Sequence, residues 1–190
     1  MSGNILQATR KSKGMSQTEL ARRSSTFQAN ISSIENGLTD PGISTIEQCL
    51  STLGYSLIAL PTNKASVAQF TLSIAKAIAD KKETKAFRLF IQLNDNLTAV
   101  TPDIRFALCI SPPPLTGDPR YDALIAGLVE FHLSALSMPL PEWISESNRK
   151  LKTRWIVDPY VTSEASILKK TPKAFIRHNV LINKLELASV

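Results

Sequence analysis

The chain has 190 residues, 43% of them hydrophobic, and a formal net charge of +6. That composition supplies a real core for one ordinary domain or two small ones, which excludes a disordered or fibrous chain. No stretch approaches the roughly 18–20 unbroken apolar residues that span a bilayer, and the N-terminal "MSGNILQATRKSKG" has no signal-peptide core, so a cytoplasmic protein with no membrane partner is expected.

In chain order, Asn4 to Lys13 carry Ile5, Leu6 and Thr9 at helical spacing, and Gly14 ends the run. "SQTE", Ser16 to Glu19, has the S-x-x-E pattern of a capping box, in which the Ser hydroxyl accepts from the backbone three residues on and the Glu reaches back. A short helix from Gln17 to Arg23 follows. After a turn at Ser24 to Thr26, "STFQANISSIENG" continues as a second helix, closed by Asn36-Gly37. "STIE", Ser44 to Glu47, reads as another capping box, opening a helix through Ile46, Cys49, Leu50 and Leu53. "YSLIALP" is an extended exit or a last helical turn, stopped at Pro61. Apolar stripes then recur in "NKASVAQFTLSIAKAIADKK", in "ETKAFRLFIQLNDNL" and in a shorter helix from Pro102 to Ile110. "SPPPLTGDP" breaks the pattern, and "RYDALIAGLVEFHLSAL" is the most periodic segment. Small helices are expected around Ser163 to Lys170 and Pro172 to His178. The prediction is an all-α protein, with an N-terminal domain over residues 1–62 and a helical C-terminal domain over 63–190.

The two cysteines, Cys49 and Cys109, stand singly in apolar patterns, as buried reduced thiols do. His132 and His178 lack metal-ligand spacing, so neither a metal nor a cofactor is expected. Asp118, Asp122 and Glu130 have no evident partner, and no phosphate-cradling or nucleophile motif occurs; the chain is read as a non-enzyme. The basic runs "RKLKTRW", 149–155, and "LKKTPKAFIRH" are read as solvated surface with Trp155 turned inward, the other reading being an acidic-partner or nucleic-acid patch.

The Ser25–Gly37 stretch is the most informative. Ile31 and Ile34 share one face; the rest is amide and hydroxyl. Helix, tight turn and second helix make a helix-turn-helix, whose first helix crosses the phosphate backbone and whose second enters the major groove. Amides suit that place, because Gln or Asn can donate to and accept from an adenine edge at once. Gln28, Ala29, Asn30 and Ser33 are the outward candidates.

"MSQTELARRSSTFQANISSIENGLTDPGISTIEQCLSTLG" resembles the DNA-binding domain of Cro/cI-type repressors, the XRE family, over about residues 3–60. The resemblance implies a sequence-specific repressor that binds double-stranded operator DNA as a homodimer. It implies that Gln17 and Asn36 meet phosphates, that Phe27, Gln28 and Ala29 begin the recognition helix, and that Asn30 and Ser33 contact bases or backbone. It implies a structural salt bridge between Arg10 and Glu35, with Lys11, Lys13, Arg22 and Arg23 as looser electrostatic candidates. Two positions depart from the family: Ser25 stands where Gly is usual and Phe27 where Ser or Thr caps the helix. The C-terminal pattern "PPPLTGDPRYDALIAGLVE", with "RW" and "AFIRHNVLI", is similar to helix-turn-helix proteins encoded beside toxin genes. That likeness implies an antitoxin that represses its own operon and binds a cognate toxin. The alternative is a one-component regulator whose second domain senses a small molecule.

Overall fold

The computed structural model describes residues 2–161 and 163–187. They form helices α1 Ser2–Ser12, α2 Gln17–Arg23, α3 Gln28–Glu35, α4 Ile43–Thr52, α5 Val67–Ala79, α6 Glu83–Thr98, α7 Pro102–Ile110, α8 Pro119–Ser134, α9 Glu164–Lys170 and α10 Lys173–Arg177. Tight 3-10 turns lie at Glu142–Ser145, Ser147–Arg149 and Lys184–Leu187. The protein is all-α apart from one bridge: strand β1, Trp155–Ile156, runs parallel to β2, Val180–Leu181. Strands of two residues carry no periodic signal, which is why the sequence does not announce them. No helix among the described residues is long and apolar enough to cross a membrane.

The helix starts show how local chemistry sets the elements. Ser16 caps α2, its hydroxyl accepting from Glu19 N–H at 3.1 Å. The Glu19 carboxylate does not reach back; it accepts from Arg22 and Arg23 instead. The complete two-way box is at the head of α5, between Ser66 and Gln69. The "STIE" expectation is corrected: α4 opens two residues earlier, on Gly42, whose carbonyl accepts from Thr45 and Ile46. Gly42 is extended after Pro41, so the first turn closes early and Ser44 falls inside the helix. Gly54, at φ 80°, ends that region in the left-handed conformation, and the chain leaves it without regular secondary structure from Tyr55 to Leu60.

Two clusters of buried side chains result. Leu6, Leu20, Ala21, Ile31, Ile34, Ile46, Cys49, Leu50 and Leu53 join α1 to α4. The second cluster gathers around α8, in which every residue from Tyr121 to Glu130 is buried. A helix that is apolar on nearly all sides belongs in the middle, and α6, α7, α10 and β2 pack around it. Gly127 makes the closest of these approaches possible: a Cβ there would lie 2.7 Å from Phe175 Cδ1 and 3.2 Å from Phe175 Cα. Contacts between α1 and α5 link the elements of the two clusters.

Polar side chains tie the second cluster together. Asn94 donates to the Leu187 carbonyl at 2.6 Å and accepts from His132 Nε2 at 2.9 Å. Trp143 Nε1 donates to the Cys109 carbonyl at 3.0 Å. Burial is also where the reading of "RKLKTRW" as wholly solvated fails: Arg149 is 2% exposed, stacked over Trp143 and donating to the Pro113 carbonyl. Asp122, 3.8 Å from Arg149, accepts from Thr116 N–H, so the proline-rich loop is anchored from both sides. Trp155 is half-buried, packed against the cluster. Glu130 accepts from Arg177 and lies 2.9 Å from His178 Nε2, while His178 Nδ1 donates to the Arg149 carbonyl at 2.7 Å.

His132 offers a test of this interior. Burial pushes its pKa down to about 4, so the folded protein holds it neutral. The unfolded chain takes up that proton near the ordinary value of 6.5. The His132 contribution is therefore complete above pH 6.5 and is lost as pH falls toward 4, a difference on the order of 3 kcal/mol. Urea unfolding measured across that window should show the slope, and His132→Gln should reduce it.

Candidate nucleic-acid interface

The site is built on α2 and α3. The turn between them needs a left-handed residue, and Ser25 supplies it at φ 53°. A non-glycine residue is uncommon there and carries a local cost. Phe27 precedes α3 in extended conformation, φ −100° and ψ 144°, with no side-chain cap bond. Its carbonyl accepts from Asn30 and Ile31, so the N–H groups of Gln28 and Ala29 stay open at the helix start, where an anion is favoured.

α3 has two distinct faces. Ile31, Ile34 and Glu35 are buried; Phe27, Gln28, Ala29, Asn30 and Asn36 are exposed, and Ser33 is partly exposed. The buried face is pressed closely on α1. A Cβ at Gly3 would stand 2.0 Å from the Ile34 carbonyl oxygen, which only glycine avoids.

Beneath that face lies the ion pair of Arg10 and Glu35. Arg10 Nε and Nη2 meet the two carboxylate oxygens at 2.7 Å each, and Nη1 donates to the Met15 carbonyl at 2.6 Å. The side chains are 9% and 0% exposed. The network continues outward. Gln17 Nε2 donates to Glu35 Oε2 at 2.9 Å, and Gln28 Nε2 donates to Gln17 Oε1 at 2.9 Å. Gln28 is thereby held by one N–H, leaving its carbonyl oxygen and second N–H for the donor-acceptor pair that an adenine edge presents.

The other polar residues have partners of their own. Asn30 donates to Thr26 Oγ1 and Asn36 to Ser32 Oγ, both at 3.3 Å. Arg22 and Arg23 share Glu19, whose pKa they draw down to about 2, Arg22 contributing more. Lys13 lies over the Tyr55 ring at 5.3 Å, and Lys11 is exposed. The bond between Gln17 and Gln28 escapes sequence reasoning, since neither helical spacing nor capping grammar links residues 11 apart; Thr26, four residues before Asn30, is within reach of helical spacing but is not singled out by the sequence.

Among the described residues, no group of three or more His, Cys, Asp or Glu side chains is placed to hold a metal ion. Both thiols are free and buried, and burial raises their pKa values, that of Cys109 to about 12.

Residues 6–60 match the family model described as Helix-turn-helix. No curated protein and no solved structure matches the chain. Residues 6–60 are thus a helix-turn-helix domain of the Cro/cI type, and this domain supports a DNA-binding transcription regulator.

The ion pair makes a stability prediction. Removing one member of a buried pair strands the other, at about 3–5 kcal/mol. Glu35→Ala should cost that much in denaturant titration, whereas Arg10→Met with Glu35→Leu should recover most of it.

Proposed function

We propose that the protein is a transcriptional repressor that binds double-stranded operator DNA as a homodimer, and that residues 63–190 form a partner-binding domain for a cognate toxin whose operon it represses. One observation carries the DNA reading: the outward face of α3 begins with an amide, Gln28, oriented by bonds that run back to a buried ion pair. In this reading Gln28 reads an adenine. Phe27, Ala29, Asn30 and Ser33 line the groove, and Gln17 and Asn36 face phosphates.

Charge supports the dimer. Through Asn63 the chain has five cations (Arg10, Lys11, Lys13, Arg22, Arg23) and four anions (Glu19, Glu35, Asp40, Glu47). One copy therefore has little electrostatic hold on phosphate, and paired half-sites supply the rest. The partner reading is supported by a cleft of about 750 Å³ whose walls include Lys81, Lys82, Lys85 and Arg88 beside Glu83. Small-molecule pockets are lined mostly by apolar groups; this groove has the chemistry of a macromolecular contact. The Glu130–His178 pair is read as structural, since each group is held by other residues of the chain. Such a regulator works in the cytoplasm without catalysis.

Two measurements test this. Gln28→Ala should weaken operator binding by about 1–3 kcal/mol in a gel-shift series; unchanged affinity and specificity would refute its role. Co-expression with the neighbouring reading frame should yield a stoichiometric complex. A protein that stays without a mate and leaves DNA only on adding a metabolite would instead be a small-molecule sensor.

A further inference from the structure

We infer that Phe27 makes this regulator select a thymine: its ring seats on the 5-methyl group of a thymine in the major groove, beside the base met by Gln28. The inference rests on the DNA-reading role proposed for α3.

Phe27 is 77% exposed and belongs to neither buried cluster. It also occupies the cap position of α3 without a cap bond, where Ser, Thr, Asp or Asn would satisfy a free N–H. The free protein therefore carries an unburied aromatic ring and an uncapped helix at one residue. Neither feature is offset within the chain. Both are accounted for if the ring meets an apolar surface on the ligand. The major-groove edge of B-DNA offers one such group among the four bases, the thymine methyl.

The neighbours agree with that target. Gln28, the next residue, is tethered to Gln17 at 2.9 Å, so the amide is held in place beside the ring. Ala29, also exposed, adds a methyl group and no polar atom. The first turn of α3 thus presents an apolar, an amide and an apolar side chain in succession. This pattern fits an adenine edge flanked by a methyl group, and it offers nothing to accept from a cytosine amino group through residues 27 or 29.

The test uses the full-length protein. Preferred sites are selected from a random-sequence duplex pool, each thymine in the consensus is replaced by uracil, and the affinities of the wild-type and Phe27→Ala proteins are compared. Removing the contacted methyl should weaken wild-type binding about four-fold per half-site, the order expected for burying one methyl group. Phe27→Ala should bind more weakly and be indifferent to uracil, with an unchanged melting temperature because the ring is exposed. Phe27→Ser, which restores a cap oxygen, should be more thermostable yet equally indifferent. If uracil is tolerated at every position, or if either variant still distinguishes thymine from uracil, the inference is overturned while sequence-specific binding stands. If the pool yields no preferred sequence, the DNA-reading role of α3 falls and the thymine contact falls with it.

Discussion

The N-terminal domain depends on the buried pair of Arg10 and Glu35. Two charges out of water are tolerable only when their hydrogen-bonding capacity is met. Here the guanidinium gives two bonds to the carboxylate and one to the Met15 carbonyl, and the carboxylate takes a further bond from Gln17. The pair therefore joins α1 to the end of α3 and to the start of α2. Because Gln17 also accepts from Gln28, an interaction in the interior orients a side chain on the surface. A buried ion pair and an exposed amide share one set of bonds in this domain.

The second cluster follows a different rule. α8 is enclosed on all sides, so its polar residues must find partners inside the protein. Asp122 serves the Thr116 amide, Glu130 meets His178 and Arg177, and His132 meets Asn94. Bonds of this kind also reach the proline-rich loop, the segment around Arg149, and the last turn at Lys184–Leu187. The irregular end of the chain is held around an apolar helix by these hydrogen bonds together with buried side chains such as Trp143, Ile182 and Leu187.

Much of this was legible beforehand, and the reasons are local. Helices α2, α3, α7 and α8 follow from capping residues, an N-terminal proline and apolar spacing, because each depends on residues within a turn or two. The inward placement of Ile31 and Ile34 follows from periodicity alone. The misreadings have local causes too. Ser44 has the residues of a cap, yet the extended Gly42 starts α4 first. Arg149 sits in a basic run that looks solvated, yet a stacked indole and a carbonyl across the chain draw it inside.

By itself, the sequence determined which segments are helical, which face of each is apolar, and that the N-terminal third is a helix-turn-helix. These are consequences of backbone capping and side-chain period, which act over a few residues. Tertiary structure alone decided that Gln28 is held by Gln17, that Glu130 and His178 meet across 48 residues, and that Phe27 is left uncovered beside an oriented amide. Such contacts depend on where separate helices come to rest against one another. No spacing within a single helix encodes that.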